Sequence, residues 1–206
     1  MENVYFLTSN KKKAKDFLDF GLGVQEFTTE IAEVLSPDVE IVVLYKAKQT
    51  GLNNIVVEDT SLSVEGTDFW GTQIKHVYDE IKENSDFNGK KAVWEVSLCM
   101  KKDQHYYIAT GCVEGQLKYP ALDVGYHFDR IFAVPKELNS NEYVQFELLS
   151  QEQKLDVGPR FQALRKLAYA INNNDYSHLK VINEKDILEW DGDYQIETKS
   201  KNKKTI

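Results

Sequence analysis

Cysteine is scarce. The 206 residues hold two, Cys99 and Cys112, each inside an apolar, strand-like stretch. Two thiols so placed read as buried and reduced, and no Cys/His set has the spacing of metal ligands. Long apolar runs are missing too: none approaches the roughly 20 residues that a membrane span needs. Met1 to Leu7 is too short and too acidic for a signal peptide. A soluble, cytosolic protein with no membrane partner is expected. Basic charge is in deficit, with 25 Lys and Arg against 33 Asp and Glu, a net charge of −8 and a pI near 5.1. That balance lacks the broad cationic footprint that displaces counterions from nucleic acid, so no nucleic-acid partner is expected, although a small local basic site stays open. Internal repeats and low-complexity linkers are absent as well.

Hydrophobic residues make up 42% and charged residues 28%, a globular composition. At 23.8 kDa the chain is one ordinary domain, long enough to bury a core without disulfides or a structural metal. Val4 to Leu7 reads as a buried first strand, ending at Thr8-Ser9-Asn10. Ala14, Phe17, Leu18 and Gly21 then recur at helical spacing, with three lysines in or near the first turn. Val24 to Val34 predicts a more exposed strand. Ser36-Pro37-Asp38 signals a helix start, and Glu40 to Thr50 carries a helical pattern that Gly51 ends. Ile55-Val56-Val57 is a short core strand running into Glu58-Asp59-Thr60-Ser61, and 72–81 reads as a helix. Ala92 to Met100 and Tyr106 to Val113 form a hairpin around the polar residues 101–104. A further strand over 142–149 and an amphipathic helix over 161–171 follow. The order βαβαβα, then hairpins, then a helix predicts an α/β protein with a mixed twisted sheet flanked by helices. The character changes after residue 175. We read a domain over 1–175 and an extension over 176–206, partly docked through Leu179, Val181, Ile182, Ile187, Leu188 and Trp190, with a basic frayed tail.

Four constellations carry chemistry. Thr8-Ser9-Asn10, followed by Lys11, Lys12 and Lys13, places free backbone N–H groups, a positive dipole end and point charges where a strand gives way to a helix, which suits phosphate. Cations there oppose the helix dipole unless an anion compensates them. The alternative is an ordinary cap with solvated lysines. Glu58-Asp59-Thr60 places adjacent carboxylates at the carboxyl end of a buried strand, where open α/β sheets bind ligands. Such groups hold a hard divalent metal or orient a water. The alternative is a polar turn. Tyr126-His127-Phe128-Asp129-Arg130 offers an aromatic beside hydrogen-bonding groups, suited to a base, or else a core segment with a surface ion pair. Lys154 to Arg160, through Gly158-Pro159, opens a helix with Arg160 at its start.

Taken in order, these segments resemble the inosine/xanthosine triphosphate pyrophosphatase family, whose members hydrolyse non-canonical purine nucleoside triphosphates to the monophosphate and pyrophosphate with Mg²⁺. The family's T-G-N-x-x-K pattern reads Thr8-Ser9-Asn10-Lys11-Lys12-Lys13. Its E-D-T/S-G-L pattern reads Glu58-Asp59-Thr60-Ser61-Leu62, and its helix lysine matches Lys75. Its F-G-[YW]-D-P-x-F pattern reads Tyr126-His127-Phe128-Asp129-Arg130-Ile131-Phe132. Its K-x-x-x-S-H-R-x-x-A pattern reads Lys154 to Arg160 and on to Ala163. The coverage is about residues 1 to 170. The resemblance implies an ITPase-like fold, a purine nucleoside triphosphate substrate, Mg²⁺ and a homodimer. It implies that Thr8, Ser9, Asn10 and Lys13 hold the triphosphate with Lys75. Asp59 would bind the metal and position the attacking water, with Thr60 beside it and with Lys13 and Glu58 as further catalytic groups. Phe128, flanked by Tyr126 and His127, would stack on the purine. Asp129, Lys154, Pro159 and Arg160 would line the base edge, Arg160 reading a 6-oxo group, because a donor there favours an acceptor and disfavours an amino group.

The departures cluster near the base. His127 stands where the family has Gly, Arg130 where it has Pro, and Gly158-Pro159 where it has Ser-His. Altered base selectivity is expected. The family's metal-binding Glu should stand five residues before a lysine, but counting back from Lys46 lands on Ile41, with Glu40 one place earlier. One residue turns a helix side chain by about 100°. Either the helix entry adjusts and Glu40 is a ligand, or Glu58 or water replaces it. Two other readings stay open: a nucleotide-binding module that has lost turnover on the same scaffold, and a Maf-like pyrophosphatase.

Overall fold

The computed structural model describes residues 4–8, 10–20, 23–25, 31–125, 127–137 and 141–195. Ser9, Tyr126 and the basic tail lie outside the described residues. β1 (Tyr5–Leu7) leads into α1 (Lys11–Asp19), and β2 (Gly23–Gln25) returns parallel to β1. β3 (Glu33–Val34) precedes α2 (Val39–Thr50), and β4 (Ile55–Val64) follows, parallel to β1 in its first residues. After α3 (Ile74–Glu83) come the long strands β5 (Lys91–Lys102) and β6 (His105–Leu117). Then follow β7 (Phe132–Pro135), β8 (Tyr143–Gln145), α4 (Gln151–Val157), α5 (Pro159–Asn173), β9 (Lys180–Asn183) and β10 (Tyr194–Gln195).

The fold is α/β, as expected. Its main sheet runs β2-β1-β4-β5-β6-β7-β8, with β9 paired to the first residues of β6 and β7 to its last. β10 pairs with β3 in a separate two-stranded ribbon. The segment after residue 175 thus adds one strand to the main sheet and another to β3.

Strand alternation sorts the core onto two faces. Val56 and Leu62 of β4, Leu98 and Met100 of β5 and Ala109 of β6 face one way, packing with Phe17 of α1 and Leu164 and Leu167 of α5. Ile55, Val57, Cys99, Tyr106 and Ile108 face the other way, under Val43, Leu44 and Ala47 of α2. The β-branched stretch of α2 has a weak intrinsic preference for helix. Its ends decide the matter. The Asp38 carboxylate accepts from the backbone N–H groups of Glu40 (2.8 Å) and Ile41 (3.4 Å), and Gly51 closes the helix in the left-handed region.

Three expectations need correction. The strand starting at Ile55 does not stop at Val57 but runs unbroken to Val64, so Glu58-Asp59-Thr60 lies within β4 and not at its end. The expected strand over 142–149 is short, Tyr143–Gln145, and gives way to a 3-10 turn at Phe146–Leu148. Cys112 is exposed whereas Cys99 is buried. Cys112 lies opposite Glu95, two residue pairs beyond Ser97 and Thr110, where the N-terminal turn of α2 already ends at Glu40.

α5 lies close on β6 because residue 111 is glycine. A Cβ on Gly111 would stand 1.9 Å from the Pro159 carbonyl oxygen. Gly111→Ala must therefore push the first turn of α5 off the sheet. We expect a loss of about 3 kcal/mol or more in chemical unfolding; a variant as stable as the parent would show that this contact does not set the α5–sheet distance.

Candidate active site

The site is organised by the alternation of β4. Glu58 stands opposite Leu98 and Asp59 opposite Ser97, so the two adjacent carboxylates leave the sheet on opposite faces. β1 pairs with β4 at Ile55 and Val56 and stops at Leu7, while β4 continues. Beyond that point the β4 edge is not covered by β1, and Thr8 and Asn10 stand between the end of β1 and the start of α1. Thr8 Oγ1 accepts from the Asn10 N–H (3.0 Å), and Asn10 Oδ1 accepts from the Lys13 N–H (3.4 Å), so both side chains shape the entry to α1.

On the α1/α5 face Glu58 is buried among cations. Lys13 Nζ lies 2.7 Å from its Oε1. Arg160 grips it with a fork, Nε to Oε2 at 2.9 Å and Nη2 to Oε1 at 3.3 Å. Arg160 Nη1 donates to Asp16 Oδ2 at 3.0 Å. Burial alone would raise the Glu58 pKa, but Arg160 and then Lys13 outweigh it and hold the carboxyl at about 2. Asp16 goes the other way, its burial outweighing Arg160 and raising its pKa. The Arg160 pKa is raised: burial opposes its charge, and Glu58, Asp16 and Asp129 overcome that.

On the α2 face the arrangement inverts, with one cation between two acids. Lys46 Nζ lies 2.7 Å from Glu33 Oε1 and 3.0 Å from Asp59 Oδ2, and donates to the Glu58 carbonyl at 3.3 Å. Lys75, at the start of α3, pairs with the second Glu33 oxygen. The Thr60 N–H donates to Asp59 Oδ1 at 2.7 Å. Burial works against ionised Glu33, but Lys46 and then Lys75 lower its pKa to about 2. Lys46 is raised, burial being outweighed by Asp59 and then Glu33.

Glu40, expected as a metal ligand, is not brought to Asp59. Its carboxylate accepts from Thr110 Oγ1 (2.7 Å) and pairs with Lys180 (2.6 Å), two strands away across the sheet. Six residues separate Glu40 from Lys46 on α2, which turns their side chains about 120° apart. The acid beside Asp59 is Glu33, from β3, which the sequence reading missed along with Lys46. A signal for Lys46 was present: it continues the stripe of Val39, Val42 and Val43 at helical spacing, and a charge on a buried face calls for partners. Glu33 had no local signal, because the turn at residues 35–38 brings it back to α2.

The residues expected on the base side lie on the Glu58 face. His127 to Arg130 form a 3-10 turn. Phe128 is 7% exposed and packs edge-on to Trp94 (5.0 Å between ring centres), leaving little open ring for a base. Trp94 donates from Nε1 to Thr60 Oγ1 at 3.1 Å, tying this cluster to β4. His127 keeps a left-handed backbone, φ 46°, a conformation that favours glycine, and its carbonyl accepts from the Tyr78 hydroxyl. Arg130 donates from Nε to the Leu122 carbonyl. Lys154 pairs with Glu147 at 3.2 Å. Pro159 is buried in the first turn of α5.

Fold and site together define an α/β protein that gathers lysines and paired carboxylates around one strand edge, the equipment for handling a polyanion. The family model described as the Ham1 family matches residues 4–170 of the chain. A dITP/XTP pyrophosphatase of Ignicoccus hospitalis is 30% identical over 149 residues, covering 64% of this chain and 79% of that protein. The chain belongs to the Ham1 family.

Glu58 and Glu33 both bind a proton more weakly in the folded chain than at the ordinary value of 4.5. Their contribution to stability is therefore complete above that value and is lost as pH falls towards about 2. Denaturant unfolding should show this acid loss in the parent and a smaller one in Glu58→Gln. At neutral pH the same variant should be less stable by about 3–5 kcal/mol, because Lys13 and Arg160 lose their buried counter-charge. A parental pH dependence in the variant would place the acid sensitivity elsewhere.

Proposed function

We propose that this chain is a nucleoside triphosphate pyrophosphatase that hydrolyses non-canonical purine nucleotides of the ITP and XTP kind, in ribo or deoxy form, with Mg²⁺. The observation that carries this reading is the Glu33–Lys46–Asp59 arrangement, two carboxylates held at one ammonium with a second lysine, Lys75, alongside. Water adds to the α-phosphorus, the bond from that phosphorus to the bridging oxygen breaks, and pyrophosphate leaves.

The donor set suits a hard cation. Mg²⁺ favours oxygen ligands and is commonly held by one or two carboxylates plus substrate phosphates, and here Glu33 and Asp59 would hold it. When bound, the metal would neutralise phosphate charge and acidify a water. Lys46 and Lys75 exchange their carboxylate partners for phosphate oxygens. Asp59 Oδ2, released by Lys46, accepts the proton of the attacking water, while Thr60 N–H on Oδ1 keeps the carboxylate oriented.

The nucleotide lies across the β4 edge beyond the end of β1. Its phosphates reach Lys75 and Lys46 on one face, and its base lies on the other beside Asp129, Lys154 and the wall formed by Phe128. Lys13, Thr8 and Asn10 stand between them. Arg160 spends three donors on Glu58 and Asp16, so it reaches the base only with the donors left over. With His127, Arg130 and Pro159 in place of the family's residues, the base preference differs from that of ITP/XTP-selective relatives. A homodimeric, cytosolic enzyme belongs to the same proposal.

Pyrophosphate release should be measured against inosine, xanthosine, 2-aminoadenosine, modified pyrimidine and standard triphosphates, ribo and deoxy, with Mg²⁺ and with chelator. Fast release from one class, abolished by chelation, is expected. No release from any, with nucleotide still raising the melting temperature, would favour a binding module. Release chiefly from modified pyrimidines would favour the Maf-like reading. Asp59→Asn and Glu33→Gln should each lower kcat by at least about 100-fold while the chain stays folded. Glu40→Gln should keep most of its turnover; a loss matching that of Glu33→Gln would return Glu40 to the metal site.

A further inference from the structure

The family match ends at residue 170, but the chain continues over the site. β9 pairs with β6, and Lys180 reaches Glu40. The chain then crosses α2. Tyr45 OH donates to the Leu188 carbonyl (2.9 Å), Lys48 pairs with Glu189 (3.0 Å), and the Trp190 ring meets Tyr45 edge-on at 5.2 Å. The Trp190 indole N–H and the Leu35 N–H both donate to the Asp193 carbonyl, at 3.0 and 2.9 Å. β10 then runs antiparallel to β3, with Gln195 opposite Glu33 and Tyr194 opposite Val34.

β3 is two residues long and, among the described residues, its only strand partner is β10. Glu33 is thus held from two sides, its side chain by Lys46 and Lys75 and its main chain by β10. The side-chain hold is the one that turnover disrupts, since both lysines change partners when phosphates arrive. From then on the main-chain hold keeps the carboxylate beside Asp59. We propose that residues 188–195 are a positioning segment for Glu33, fixing the spacing of the carboxylate pair that takes the divalent cation. This inference rests on the reading of Glu33 and Asp59 as the metal-side acids.

The test uses the full chain. Trp190→Ala removes the anchor on Tyr45, and Gln195→Pro removes the backbone donor opposite Glu33. Val181→Ala, on an exposed position of β9, is the control. Two quantities are read: the Mg²⁺ concentration that half-saturates pyrophosphate release, and the rise in melting temperature caused by Mn²⁺ alone. In both strap variants the half-saturating Mg²⁺ should rise on the order of tenfold, as for other residues that orient metal ligands. The Mn²⁺ shift should shrink, while kcat at saturating Mg²⁺ stays near parental and the control behaves as the parent. Trp190→Ala leaves the ladder residues in place, so it answers the question even if Gln195→Pro does not fold. Unchanged metal dependence, or lowered kcat at an unchanged half-saturating Mg²⁺, would overturn the positioning role. Failure of the underlying reading looks different: the parent itself would then release no pyrophosphate and gain nothing from Mn²⁺.

Discussion

One ammonium group joins three distant parts of this chain. Lys46 Nζ, carried by α2, holds Glu33 of β3 and Asp59 of β4 and also bonds the Glu58 carbonyl. Two carboxylates brought this close without a cation would repel, and one of them would take up a proton. With Lys46 between them and Lys75 behind Glu33, the pair is kept together, and Glu33 is held ionised far below neutral pH. This preorganises the site. The acids already converge on one cation, so on the proposed reading little rearrangement of the carboxylates is needed to receive another positive centre.

The opposite face of β4 balances that cluster. Glu58 is nearly fully buried, and it stays charged there because Lys13 and Arg160 meet both of its oxygens. An ion pair so buried adds little net stability over a well-packed apolar alternative, but it is costly to break. Its structural consequence is to link α1, β4 and α5 at one point. Asp16 joins through Arg160, and the aromatic wall of Trp94 and Phe128 joins through Thr60. Two charge clusters of opposite design, an acid among cations and a cation among acids, therefore share one strand and are one residue apart.

Segments beyond the family match reinforce this arrangement. β9 widens the main sheet, and Lys180 occupies Glu40, the acid that the helix pattern offered most readily. β10 supports β3, the strand that carries Glu33. On the proposed reading, in which Glu33 and not Glu40 serves the metal, the choice between the two glutamates depends on which backbone is braced, and residues 194–195 supply that bracing.

Much of this was legible in the sequence by itself. The alternation of strands and helices, the caps at Asp38 and Gly51, and Pro159 at a helix start are local patterns that follow from periodicity, backbone preference and residue chemistry within a few positions of one another. The ordered motifs around Lys13, Glu58-Asp59, Lys75 and Arg160 were legible as a set through their resemblance to a known family. The extent of β4 was not legible, because a polar Glu-Asp-Thr run resembles a turn until its partner β5 supplies the ladder. That extent decides that Glu58 and Asp59 face apart. Nor could local spacing select Glu33 over Glu40, or show that Phe128 is spent on Trp94 and that Cys112 lies past the end of α2. These depend on which surfaces meet across the sheet. Sequence determined the elements and the inventory of charges; tertiary structure decided the pairing, because a buried charge takes its partner from whatever the fold brings within about 3 Å of it, not from its neighbours along the chain.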